Sequence, residues 1–425
     1  MNKHVQTATS LSADPQLWKD FLALCDCGGR LCGTESERRA FALIRERGRL
    51  ASAGVEATSI PVNYGGWSIK RASLALDDGV TLPCQPLLRT VATAAQGLVA
   101  EVIDLGRGTP EEFDAHADDI GGRIVLVRHE LMFAAGTIHR RRKYDLARRH
   151  GAAGFLIAGP LPGAVVAGST GRDSADEGIP AVGISPEGAA RLRRTERGWP
   201  AVTLRIETAE GAAQTETLLF ELPGREDEWV VLSAHVDGHD LAESAMDNAT
   251  GVAAVLAVAR ALAPSVSSFQ RGLRLAFFSV EEWALTGSRQ YVEALTPGAR
   301  DAIALNVNLD SIAGSPNLTA LTSGFARLEP FLLRVAETAG QSLRTVRPLM
   351  VNSDHASFAQ AGIPAIRLVA GFDDPAANLR YVLTPADTRD KVSQAELRQA
   401  AMLSAALVEA ACNANGDEAA RWRQR

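Results

Sequence analysis

Beyond Thr215 the chain alternates apolar and amphipathic runs in a strand, loop, helix order that few architectures accept: Trp229 to Ser233, Asn248 to Leu262, Gly272 to Val280, Leu285 to Leu295, then Ala302 to Leu309. Such alternation predicts an α/β fold, a doubly wound, mixed but mostly parallel sheet with helices on both faces. The strand segments are continuously apolar, as burial on both faces demands. Arg327 to Ala339, Ala356 to Ala361 and Gln394 to Ala411 supply further helices.

The preceding half has a different texture. Pro15 to Ala53 reads as helical, with a break at Cys27-Gly28-Gly29 and a restart in which Thr34 is the N-cap and Glu37 stands three positions on. From Val62 to about Glu207, short β runs such as Ile124 to Val127 and Gly154 to Ile157 are separated by Gly and Pro turns, the pattern of an inserted β-rich module. The expected division is residues 1–61, a helical first part of the principal domain; 62–207, the insert; and 208–425, the main part of the principal domain. A length of 425 residues suits two or three domains of roughly 100 to 200 residues each.

Several function classes are disfavoured by composition. With 44 basic against 50 acidic residues the net charge is −6, which argues against a surface built for nucleic acid. The densest basic run, His139 to Lys143 with Arg148 and Arg149, has helical spacing and is expected to be a solvated helix face. Met1 to Leu17 lacks the features of an export signal, so a cytoplasmic location is expected. Ala249 to Pro264 is shorter than the roughly 20 residues of a membrane span and carries Arg260, so no membrane association is expected. Cys25, Cys27, Cys32, Cys84 and Cys412 form an odd set without zinc-site or redox spacing and are expected to be reduced, structurally incidental thiols.

The chemistry gathers where strands end, which is where ligands collect in open α/β sheets. Val230 to Ala234 runs into His235-Val236-Asp237; after a polar loop, Asp247-Asn248 opens a helix whose Ala249, Gly251, Ala253 and Ala254 permit close packing on the sheet. Leu273 to Val280 ends in Glu281-Glu282, and Ala304 to Leu309 ends in Asp310. Singly, each has an ordinary reading: a core histidine, a turn aspartate at 237, a helix N-cap at 247, a charged strand terminus. Together, unpaired carboxylates at buried strand ends repel and lose solvation, whereas a divalent cation neutralises and orders them. One imidazole with several carboxylates suits Zn²⁺, with Mn²⁺ or Co²⁺ as alternatives.

Residues Glu228 to Asp310, with Ser353-Asp354-His355 and Pro385-Ala386-Asp387-Thr388, resemble metallopeptidase family 28, the zinc aminopeptidases and glutamate carboxypeptidases. The resemblance rests on His235-x-Asp237, Met246-Asp247-Asn248 with Gly251, Glu281-Glu282 with Gly287-Ser288, and Asn308-Leu309-Asp310, in the family's order. Ile120 to Val127 and Lys143 to Ala158 resemble the protease-associated domain inserted in some members. The resemblance implies a zinc exopeptidase-like fold and a hydrolase of peptide or amide bonds in small substrates. It also implies that His235 and Asp310 hold one metal, Asp247 bridges to a second, Glu282 binds that second metal, Asp237 hydrogen-bonds His235, and Glu281 is the general base.

The family completes its second metal position with the histidine of a His-Thr-x-x-Asp-Thr segment, and here that segment reads Leu383-Thr384-Pro385-Ala386-Asp387-Thr388. Leucine cannot ligate, so a single tightly held ion on His235, Asp247 and Asp310 is expected, three protein ligands being usual at a catalytic metal. His239, His355 and Tyr381 are further candidates for the site. Two other readings use the same residues: a scaffold that has kept the fold and lost catalysis, and a single-metal aminoacyl cyclase or transferase. Asp240 and Glu243 are candidates to bind a substrate amine, Arg367 and Arg380 a substrate carboxylate; self-association through the insert is also open.

Overall fold

A computed structural model of the protein describes residues 11–172, 178–193 and 198–424; Met1 to Ser10, on which most of the export expectation rests, lie outside them. Fourteen strands among the described residues form one continuous sheet. Its principal half runs in the order Arg344–Val346, Leu318–Leu321, Ala365–Ala370, Ile303–Leu309, Trp229–His235, Gly272–Phe278, Ala201–Leu222. Trp229–His235 is parallel to both neighbours and Ile303–Leu309 is parallel to Ala365–Ala370, while antiparallel pairs lie further out. The mixed, mostly parallel α/β architecture is therefore present.

Every residue of Ile303–Leu309 and Ala365–Ala370 is buried, the mark of strands covered on both faces. Gln16–Asp26, Glu35–Ala51 and Gln394–Asn413 pack around the helix Thr250–Val266, while Thr286–Ala294 packs with His355–Gln360. Gly251 is needed for close docking of Thr250–Val266: a Cβ there would lie 2.3 Å from the Leu309 carbonyl oxygen. Ala245–Val266 is long and apolar enough to cross a membrane, yet 72% of its most apolar window is buried in the fold, as in a core helix.

Three strands of this half escape the sequence reading. Leu318–Leu321 and Arg344–Val346 have four and three residues, too few to show a period, and Arg367 interrupts the apolar run of Ala365–Ala370. The Thr34 N-cap is present, its side chain accepting from Glu37 N. The Glu37 carboxylate, however, accepts from Gly33 N and from the hydroxyls of Thr215 and Ser279, which ties the helix to the sheet.

Thr58–Leu76 and Ala201–Leu222 pair antiparallel along nearly their whole lengths. One end of this ribbon continues the principal sheet, with Leu218 opposite Phe277; the other continues into the insert, with Leu204 opposite Leu98. The boundaries expected at 62 and 207 thus fall inside continuous strands instead of in linkers. Beyond the ribbon the insert carries Leu98–Asp104, Ile124–Arg128, Gly154–Ala158, Ala181–Ile184 and Cys84–Pro86 in that order. It folds back over the principal domain: Ala167 N donates to Leu383 O at 2.8 Å, Asp373 N to Phe133 O at 2.7 Å, and Ala135 N to Asp373 Oδ1 at 2.7 Å.

Candidate active site

Register decides which side chains meet. Ser233 lies opposite both Ala276 and Asn308, so His235 and Asp310, each two residues further on, emerge side by side at the carboxyl edge of the sheet. His235 Nδ1 lies 2.9 Å from the carbonyl oxygen of Asp237. A carbonyl only accepts, so Nδ1 carries a proton and Nε2 is the nitrogen turned inward, free to ligate once it has lost its own proton. Nε2 stands 3.1 Å from Asp247 Oδ1 and 3.7 Å from Asp310 Oδ1. Ligand atoms of His235, Glu281 and Asp310 all lie within 4.8 Å of one another.

Asp247 is placed by its neighbours. Asp387 accepts from Met246 N at 2.8 Å and from Asp247 N at 3.3 Å. Asn248 donates to Leu309 O and accepts from Gly251 N, both at 2.9 Å, so the helix start is tied to the strand that ends in Asp310. The Asp247–Asn248 peptide is cis.

His235 Nδ1 donates to the Asp237 carbonyl and not to the expected carboxylate, whose oxygen stays 3.8 Å from Nδ1. That carboxylate instead accepts from Glu281 N at 3.1 Å, Glu282 N at 3.2 Å and Cys32 Sγ at 3.1 Å. Two amides at a sharp strand end are better donors than the flank of an imidazole already satisfied, so Asp237 holds the Glu281-Glu282 turn. Cys32 is accordingly no incidental thiol, although like the other four cysteines it is free.

Left-handed residues surround the cluster: Ser244, Val280, Ser311 and Leu383 have φ of 47°, 58°, 58° and 64°. This conformation costs a non-glycine residue about 1–3 kcal/mol, most for a β-branched one such as Val280.

Of the undecided candidates, His239 joins the cluster: its Nε2 lies 2.8 Å from Glu282 Oε2, without hydrogen-bond geometry. His355 is fully buried at the start of its helix, both ring nitrogens lacking a protein partner, and burial pushes its pKa down to about 3. Tyr381 accepts from Arg380 and lies under the cations of Arg380 and Lys391. Glu243 is engaged by Arg389, and Arg367 by Asp310 Oδ2 at 3.1 Å and Asn352 O, while Asp240 is exposed.

The basic run is the largest departure from expectation. Only part of the helix Arg140–Arg149 is solvated: Arg140 and Lys143 are buried, Lys143 binding Glu130 and Arg128 O. Arg140, Arg141, His139, Met132 and Phe133 of the insert wall a pocket with Asp247, Glu281, Glu282, Asp310 and Leu383, and Arg141 reaches Glu282 O at 3.4 Å. Helical periodicity showed which residues share a face, not that this face closes over another domain.

Sequence reasoning also missed Arg30. Fully buried, it donates five hydrogen bonds to carbonyl oxygens, including those of Val236, Glu243 and Ser244 that bracket the loop between His235 and Asp247.

Charge is crowded here. Burial raises Asp247 to about 6, with Asp310 and Glu282 adding repulsion, and burial likewise pushes Glu281 well above the carboxylate range. Burial would depress His235, but Glu281, Asp247 and Asp310 hold it well above its ordinary value. Burial is outweighed at Asp310 by Arg367 and at Glu282 by His239, and both fall below their usual range. Asp247 Oδ1, Glu282 Oε1 and His239 Nε2 are buried without a hydrogen-bond partner. Imidazole nitrogens and carboxylate oxygens converging with unspent lone pairs fit a zinc-type divalent cation.

A sheet with such a donor cluster at its strand ends defines an α/β protein with a candidate metal centre. Residues 217–408 match peptidase family M28 and residues 89–192 match the PA domain. A probable lipoprotein aminopeptidase, LpqL, of Mycobacterium tuberculosis is 30% identical over 69% of this chain and 60% of its own length. Aminopeptidase YwaD of Bacillus subtilis is 25% identical over 90% of this chain and 81% of its own. A solved zinc aminopeptidase from Bacillus subtilis aligns with a TM-score of 0.72 at 23% identity, covering 96% of this chain and 95% of that one, a likeness of fold.

Proposed function

We propose that this chain is a zinc-dependent aminopeptidase, hydrolysing the peptide or amide bond next to a free amino terminus. The observation that carries the reading is the convergence of ligand atoms of His235, Glu281 and Asp310 within 4.8 Å of one another, beside an Asp247 Oδ1 without a hydrogen-bond partner. The names of the two curated relatives support the aminopeptidase form. His235, Asp247 and Asp310 would hold one ion, and Glu282 would contribute to a second; with Leu383 in the pocket wall, one ion would remain if nothing replaced the missing histidine. Bound there, zinc polarises the scissile carbonyl and lowers the pKa of a water from about 16 towards roughly 7. Glu281 takes the proton from the attacking water and returns it to the leaving amine. Asp237 keeps Glu281 in place through its main-chain amide. Arg140, Arg141 and Phe133 close the site from the insert and exclude bulk water.

A panel of aminoacyl amides and their N-acetylated counterparts tests this, with products identified by mass. Hydrolysis confined to free amines, lost on chelation and restored by zinc, is expected. Cyclised products, or an inert protein that binds no metal, would overturn it in favour of a cyclase or a scaffold.

Asp387 provides a second check, because its two carboxylate oxygens serve the amides that precede and include Asp247. In Asp387→Asn one oxygen becomes a donor facing a donor. Zinc retention against a competing chelator should weaken about 10- to 100-fold, the usual effect of damage behind a ligand. Unchanged retention would mean that Asp247 is positioned without it.

A further inference from the structure

We infer that His239 supplies the imidazole missing at position 383, so that His239, Glu282 and Asp247 form a second cation position beside the one at His235 and Asp310. The inference rests on the reading of this cluster as a metal centre and goes beyond it in assigning a ligand from a different loop.

The first argument is an accounting of polar atoms. His239 is 5% exposed, and its Nε2 has no hydrogen-bond partner although Glu282 Oε2 stands only 2.8 Å away. Glu282 Oε1 and Asp247 Oδ1 are orphaned in the same way. Buried polar atoms are nearly always paired, and each exception costs about 1–3 kcal/mol. A simple imidazolium–carboxylate pair would align its proton with the carboxylate oxygen. Two donors on one tetrahedral zinc lie about 3.3–3.6 Å apart, so His239 and Glu282 would part by about half an ångström to take an ion between them, and the ion would take up the lone pairs now left without a partner.

The second argument is that His239 is held like a ligand. Ser244 Oγ bridges its main chain, accepting from His239 N at 3.0 Å and donating to His239 O at 3.1 Å. Gly29 packs against it so closely that a Cβ would lie 1.9 Å from His239 O, and Gly238 N donates to Arg30 O at 3.3 Å. This clamp fixes the main chain that carries an imidazole four residues beyond His235 on the same loop. Leu383, by contrast, is pinned through its carbonyl to Ala167 of the insert and offers the pocket only an aliphatic wall.

Zinc per chain is measured by elemental analysis after equilibrium dialysis at fixed free zinc, with circular dichroism as the check on folding. Wild type should hold two ions and His239→Asn one, the second ion's affinity falling at least about 10- to 100-fold. One ion in wild type, or two in His239→Asn at unchanged affinity, overturns the inference while leaving the metal-centre reading intact. No ion in wild type overturns both. Leu383→His in the wild-type background is informative even if His239→Asn fails to fold. With His239 already ligating, the count stays at two; a rise from one to two would show that the position had been incomplete.

Discussion

Glu281→Gln should keep its zinc and its fold and lose about 100- to 10,000-fold in kcat, the range a positioned general base contributes. Glu281 is 6% exposed, its main-chain amide is bound by Asp237, and its carboxylate lies with His235 and Asp310. Glutamine has the same shape and leaves the amide bond untouched; it removes only the ability to accept and return a proton. KM for a free-amine substrate should move little, because the binding surface is unchanged. Steady-state kinetics with parallel metal analysis decides the matter: near-wild-type kcat at full zinc content would remove Glu281 from the mechanism.

Arg30→Met should lower stability by about 3–5 kcal/mol, since removing a charged donor leaves several buried carbonyls unsatisfied at about 1–3 kcal/mol each. The carbonyls of Val236, Glu243 and Ser244 are the ones left behind, so the loop from His235 to Asp247 should loosen and zinc retention should fall with the denaturation midpoint. Arg30→Lys, with a compact charge in place of a planar fork, should lie between the two. An unfolding free energy for Arg30→Met within about 1 kcal/mol of wild type would show that Arg30 does not organise the loop. Chemical denaturation monitored by fluorescence provides the comparison.

The strand-end residues were legible because each follows a continuous apolar run, and an acid or histidine in that position stands out against its surroundings. His235, Glu281-Glu282 and Asp310 follow Trp229–His235, Gly272–Phe278 and Ile303–Leu309 at or just past their carboxyl ends. Arg30 carried no such signal: it follows a Gly-Gly break at a φ of 57°, where a sequence reading expects a solvated turn. Arg140 and Arg141 were misjudged for a related reason, since a basic helix face looks the same whether it meets water or the carboxylates of another domain. The family resemblance implies a bond between the Asp237 side chain and His235, and only the folded turn shows that the carbonyl of Asp237 takes that place.

By itself the sequence determined the α/β class, the strands that carry the donors and the kind of atom each donor offers, whereas the missing histidine at 383 stands out only against the family that the chain resembles. Those properties are local: hydrophobic continuity and side-chain chemistry act over a few residues and can be read along the chain. Only the tertiary structure decided that His239 meets Glu282, that Asp387 and Arg30 shape the loop around Asp247, and that the insert walls the pocket. Each of these joins residues distant in the chain or on separate turns, and such distances depend on strand register, left-handed turns and domain docking, which emerge only when the whole sheet has closed.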